Sequence, residues 1–179
     1  MIVALAGRRI DSPEATPPRF PLSNVERVRD RVTTLLQAND VTAIVSSSAC
    51  GADLVALQAA DALGIRRRVV LPFSAERFRV SSVIDRPGEW GSIYDNVIDS
   101  VAARGDLVEL QSNREDGKAY AAANLVILNE AEALARESRQ DAAAVLVWDG
   151  ASRGEGDLTV EFGQTARARG LKILEVKTV

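Results

Sequence analysis

The run Ala143-Ala144-Val145-Leu146-Val147-Trp148 is apolar throughout, so both faces of its alternation carry apolar side chains. A strand of that kind is expected where both faces of a sheet are covered, as in a parallel sheet flanked by helices. Working outward, similar short runs recur. Ile2-Val3-Ala4-Leu5-Ala6 ending at Gly7, residues 41–45, Val69-Val70-Leu71 stopped by Pro72, and residues 107–110 and 171–176 all read as strands. Helical stretches lie between them. The first follows a loop with Pro13, Pro17, Pro18 and Pro21. It is predicted to be capped by Ser23 or Asn24 and carries the stripe Val25, Val28, Val32, Leu35 and Leu36. Others are predicted over 52–63, ended by Gly64, and over about 92–103, 119–138 and 158–169. The segment that begins at Pro72-Phe73 and contains Arg77, Phe78, Asp85 and Trp90 reads as irregular. It is long enough to cover a ligand as a lid, or its aromatics pack it down as a satellite cluster.

Strands alternating with helices predict an α/β fold: one Rossmann-like domain over 1–179, a mostly parallel sheet with helices on both faces. The 179 residues, 46% apolar and 26% charged, suit one globular domain. No internal repeat or linker divides the chain. With 22 Lys and Arg against 25 Asp and Glu, the net charge is −3. That balance makes nucleic acid an improbable partner, because such binding draws on clustered positive charge. The absence of histidine excludes a Ser-His-Asp triad and any His-ligated metal, and one cysteine cannot form an internal disulfide. No stretch approaches the 18 apolar residues of a membrane span. The expectation is a cytoplasmic protein that needs neither metal nor cofactor and has no membrane partner.

In open parallel sheets, ligands bind beyond the carboxyl ends of the strands, so the segments after each strand are the candidates. After the first come Gly7, Arg8 and Arg9; the arginines either hold a phosphate or pair with neighbouring acids. After the second come Ser46-Ser47-Ser48-Ala49-Cys50-Gly51-Ala52-Asp53, small residues that leave backbone N–H groups at a helix start open to an anion, or a plain serine-capped turn. Cys50 has no histidine to activate it and reads as packing. After the fifth, Gly150, Gly154 and Gly156 form a loop that also carries Glu155 and Asp157 and leads into Thr159 and Glu161. Carboxylates there suit ribose hydroxyls or a carbocation-like transition state better than a phosphate. Asp157 reads equally as an ordinary N-cap. The basic run Arg66-Arg67-Arg68 falls in a predicted helix-to-strand connection, on the edge opposite the crevice.

Taken together, Gly7 to Asp11 with Arg19-Phe20-Pro21, Ser47 to Asp53, Val70-Leu71-Pro72-Phe73, Trp148-Asp149-Gly150 and Thr159-Val160-Glu161-Phe162 resemble the SLOG superfamily. That superfamily joins the Smf/DprA proteins and the LOG phosphoribohydrolases. The greater likeness is to the SLOG domains beside cyclase and tetratricopeptide modules in bacterial signalling proteins. The resemblance implies a Rossmann-like domain with a nucleotide-derived ligand in its crevice. By position it implies a pocket of Gly7, Arg8, Ser47, Ser48, Gly51, Asp53, Pro72, Phe73, Gly150, Gly154, Gly156 and Thr159. LOG enzymes carry Pro-Gly-Gly-x-Gly-Thr-x-x-Glu, whose glutamate serves N-glycosidic cleavage. Here, aligning Gly154-x-Gly156 puts Asp157 at the threonine and Val160 at the glutamate. Glu161 lies one residue on, a helix rotation of about 100 degrees.

The leading expectation is therefore a sensor module that binds a nucleotide or nucleotide-derived small molecule without turning it over. The alternative is a nucleotide N-glycosidase in which Glu161 or Asp157 is catalytic and Arg8 holds the 5′-phosphate. A single-stranded DNA-binding module ranks third, since aromatics are only 4% of the chain and such sites need basic, aromatic grooves. The alanine-rich helix over 119–138 offers a surface for a homo-oligomer.

Overall fold

Six strands alternate with six helices in a computed structural model that describes residues 1–179. The strands are β1 (Ile2–Gly7), β2 (Ala43–Ser46), β3 (Arg66–Leu71), β4 (Leu107–Glu109), β5 (Ala142–Trp148) and β6 (Lys172–Lys177). The helices are α1 (Val25–Ala38), α2 (Ala52–Ala62), α3 (Ala75–Ser82), α4 (Trp90–Ala103), α5 (Gly117–Ser138) and α6 (Leu158–Ala168). All strands pair in parallel, in the order β4-β3-β2-β1-β5-β6. The chain winds outward from β1 to β4, then returns to place β5 on the other side of β1. Winding reverses between β1 and β5, and a crevice opens beyond the carboxyl ends of strands at such a point.

Side chains alternate across the sheet, so each strand serves two cores. Val3, Leu5, Val145 and Val147 join the α1, α2 and α4 side, packed by Val28, Leu36, Leu54, Leu57 and Val101. Burial of each such side chain is worth about 1.5–3 kcal/mol. Ile2, Ala4, Ala6, Ala144 and Leu146 join the other side, packed by Ala123, Ile127, Ala131 and Ala135 of α5 and Phe162 and Ala166 of α6. Alanine on both the sheet and α5 leaves little side-chain volume between them. The alanines 123, 131 and 135 that suggested self-association are thus covered inside the chain.

Several local expectations change. β3 begins at Arg66, so the three arginines lie in the strand rather than before it. Each is paired: Arg66 and Arg68 with Asp106 at 2.7 and 3.1 Å, Arg68 also with Glu130, and Arg67 with Asp61 at 2.5 Å. α3 occupies part of the segment expected to be irregular; only Phe78 and Ser82 of it are buried, too few for a legible stripe. Asn24 takes the N-cap position of α1 but makes no side-chain cap hydrogen bond; its amide instead donates to Thr178 O at 2.8 Å. The rings that meet Phe73 and Phe78 are Tyr94 and Tyr120, at centroid distances of 5.8–6.4 Å. Trp90 joins the same core but donates its indole N–H to Pro87 O at the start of α4. No helix is long and apolar enough to cross a membrane.

Candidate functional site

The end of β1 is built for close approach. A Cβ on Gly7 would lie 2.3 Å from Val147 O and 2.4 Å from the Ala52 Cβ. Gly51 adopts φ +102, and a Cβ there would lie 2.7 Å from Ile10 N. Glycine at both positions lets residues 8–10 run directly against 50–52. The Ile10 N–H donates to Cys50 O at 3.3 Å, and the Ala52 N–H donates to Arg8 O at 3.0 Å. Gly7 and Gly51 therefore shape the wall of the crevice by bringing two backbones together.

Arg8 turns toward β5. Its Nε donates to Asp149 at 2.8 Å, Nη1 to Asp157 at 2.7 Å, and Nη2 to Asp157 at 2.9 Å and to Ala151 O at 2.6 Å. The side chain is 2% exposed and that of Asp157 is 1% exposed. Asp157 is also the N-cap of α6, accepting from the Thr159 and Val160 N–H groups, and it accepts from the Arg153 N–H at 2.7 Å. Burial alone would raise the Asp157 carboxyl; the bonds from Arg8 and Arg153 outweigh it and hold it at about 2. Arg19 completes the cluster, donating to Asp149 at 2.5 Å and to Ala151 O. Burial likewise works against ionisation of Asp149, and Arg8 and Arg19 bring it below the usual carboxylate range. This cluster ties β1 to the loop after β5 and to the start of α6.

Arg9 turns the other way, toward α2 and the link between α3 and α4. It donates to Asp85 and approaches the Cys50 Sγ at 3.6 Å. Its Nε is buried with no hydrogen-bond partner, as is that of Arg86. Burial pushes the Cys50 thiol up despite Arg9, which fits the packing role.

Between these two sides opens a cavity of about 530 Å³, within the roughly 300–1,000 Å³ of ligand pockets. Five arginines line it: Arg8, Arg9, Arg19, Arg86 and Arg153, drawn from four separate segments of the chain. Ser47, Asp11, Asp53, Tyr120, Asn124 and Thr159 also line it. Asp53 is 8% exposed and accepts from the Ala49 N–H at 3.1 Å. Burial pushes its carboxyl up to about 7, against the pull of that N–H and of Arg9. The lining thus offers guanidinium donors, a carboxyl only partly ionised near pH 7, a serine hydroxyl and an amide, which together suit a phosphate-bearing polar ligand.

The expected residues divide. Arg8, Ser47, Asp53 and Thr159 line this cavity, while Ser48 is fully buried and does not; the hydroxyls of both serines are unpartnered. Arg8 reaches it with every nitrogen already donating inside the protein. Three backbone N–H groups of the serine turn are likewise engaged: Ala49 with Asp53, Cys50 with Ser82 O, and Ala52 with Arg8 O. Pro72 lines a different groove beside Leu110 and Ser112, and Phe73 is fully buried among aromatic rings. Gly150 packs near Lys177, while Gly154 and Gly156 sit exposed at φ +98 and +75. Glu161 faces a groove between α5 and α6, with Leu125 and Thr165, and does not reach the cavity. The four residues of helical separation between Asp157 and Glu161 therefore do not make a carboxylate pair.

Arg19, Arg86, Arg153, Tyr120 and Asn124 were not anticipated as lining residues. One signal was available for two of them. Tyr120 and Asn124 are four apart at the start of α5, the end of that helix nearest the carboxyl ends of the strands. Arg19 stood within the motif Arg19-Phe20-Pro21, though not as a lining residue, and nothing local marked Arg86 or Arg153.

The sequence matches no protein-family model and is similar to none of the curated proteins. Among solved structures, the chain is similar to DNA processing protein A (DprA) from Streptococcus pneumoniae, at 15% identity and a TM-score of 0.44. The match covers 97% of this chain, which spans 58% of the length of that one.

Proposed function

We propose that the chain is a SLOG-like module that binds a nucleotide or nucleotide-derived ligand in the crevice beyond β1, β2 and β5, and acts as a sensor. One observation carries the reading: a cavity of about 530 Å³ at the reversal of winding, lined by arginines from four segments. Phosphate, like carboxylate, is a group that the guanidinium fork matches bidentately. Asp53, Asn124 and Ser47 supply donors and acceptors for a sugar or base. Tyr120 and Phe78 supply an apolar wall. The order of motifs that resembles the SLOG superfamily supports the same crevice.

Binding is favoured over hydrolysis by the state of the two carboxylates that cleavage would use. Asp157 is held ionised in the grip of Arg8, and Glu161 opens into another groove. Binding of a nucleic-acid strand is disfavoured because Arg66, Arg67 and Arg68 are all ion-paired at the opposite end of the sheet.

The test is a thermal-shift panel of AMP, ADP-ribose, NAD, cyclic mononucleotides and cyclic dinucleotides, each followed by chromatography for released base. A ligand at 100 times its Kd adds about 2.7 kcal/mol, which for a chain of this size is about 5–10 °C. A shift with intact ligand is the expected result. No shift across the panel overturns the reading, and free base replaces it with the hydrolase.

A further inference from the structure

Two guanidiniums of the cavity converge on one carboxylate. Asp85, in the link between α3 and α4, pairs with Arg9 and stands 3.7 Å from the Nε of Arg86. That second contact is beyond hydrogen-bonding distance and joins sequence neighbours. The Nε atoms of both Arg9 and Arg86 are buried and have no hydrogen-bond partner. A buried donor on a charged group left without an acceptor is costly, so such a pair of donors is poised for another acceptor. Arg9 is held in place by its backbone, through the bridge to Gly51 and the glycines that permit it. Asp85 lies in the link between two helices with a side chain 34% exposed, and can turn to water at little cost.

We propose that Arg9 and Arg86 form a phosphate subsite whose resident counter-ion is Asp85, so that a phosphate monoester binds by displacing a carboxylate of the protein itself. A carboxylate has two oxygens, and here they reach one guanidinium well and the other poorly. A phosphate presents three acceptor oxygens and a larger charge, enough to serve both guanidiniums at once. The neighbouring Asp53, pushed up to about 7 by burial, is only partly ionised at pH 7 and repels a phosphate less than an ordinary carboxylate would. Asp85 then sets the affinity from outside the contact: it weakens phosphate binding and makes the empty site less attractive to other small anions.

This inference rests on the nucleotide reading only for the identity of the ligand. The experiment is isothermal titration of the full chain with AMP, adenosine and inorganic phosphate, using wild type, Asp85→Asn, Asp85→Ala and Arg86→Gln. Melting curves of each variant check folding. AMP and inorganic phosphate are expected to bind both Asp85 variants about tenfold more tightly than wild type, and Arg86→Gln about tenfold more weakly. Adenosine, which lacks the phosphate, is expected to respond to none of them. Unchanged or weaker AMP binding in both Asp85 variants overturns the subsite while leaving the nucleotide reading intact. Tighter inorganic phosphate with no binding of AMP keeps the subsite and removes the nucleotide reading. If no probe binds any variant, both fall.

Discussion

Arg8 and Arg9 are adjacent, identical in chemistry and close to the same cavity, yet they meet opposite fates. Arg8 gives all its nitrogens to Asp149, Asp157 and Ala151 and is almost fully buried. Arg9 meets a single exposed carboxylate and keeps a buried Nε unpartnered. On the β5 side, charge is saturated and the result is a structural tie. On the α3–α4 side, charge is left incompletely served and the result is a pair of guanidiniums with donors unengaged. The lesson is that proximity to a crevice does not mark an arginine as a ligand contact; the number of donors left free does.

The largest expected effect breaks the saturated side. Arg8→Met leaves Asp157 buried without its guanidinium and Asp149 with Arg19 alone, and loss of one partner from a buried pair costs about 3–5 kcal/mol. For a chain of this length, that is a fall of about 10 °C in Tm by scanning calorimetry. Arg9→Gln is the counterpart. It is expected to change stability by about 1 kcal/mol or less, as for exposed pairs, while weakening AMP binding about tenfold in titration, equivalent to about 1.4 kcal/mol. If Arg9→Gln unfolds the protein and Arg8→Met does not, the contrast is reversed.

A pH experiment sharpens the comparison from the side of the carboxylates. Asp53 has its folded value raised to about 7, above its unfolded one, so the folded chain holds a proton that the unfolded chain has released. Its contribution therefore falls as pH rises from about 4 to 7 and is lost above that. Asp53→Asn is expected to raise stability at pH 8 by a few kcal/mol and to leave it nearly unchanged at pH 4, read by urea denaturation. Asp157 behaves oppositely. Its folded value of about 2 lies below its unfolded one, so its contribution is present above about pH 4 and fades toward pH 2. Glu161→Gln is the smallest effect. Stability is expected to stay within about 0.5 kcal/mol, and AMP titration is expected to match wild type, because the side chain opens into a separate groove.

The architecture was legible because its determinants are local. Ala143 to Val147 announced a doubly covered strand, Gly64 stopped α2 in the left-handed region, and the apolar positions of α1 marked a helix. α3 was not legible, since a helix that buries only Phe78 and Ser82 writes no stripe. The start of β3 was hidden for a related reason: Arg66, Arg67 and Arg68 read as loop until Asp106, Asp61 and Glu130 are brought to them. In the site, Gly7 and Gly51 were rightly marked as special, but the constraint they answer is a backbone approach within the protein.

Sequence by itself determined the parallel α/β layering, the strand ends where a crevice belongs and the absence of histidine chemistry, because periodicity, turn residues and composition act over a few residues at a time. Tertiary structure alone decided which charges are free. The carboxylates that engage Arg8 stand 141 and 149 residues along the chain, and the one that meets Arg9 stands 76 away. A guanidinium has five donors and no local preference for who receives them, so only the folded chain, by bringing distant carboxylates within reach, settles which arginine becomes a tie and which keeps a donor free.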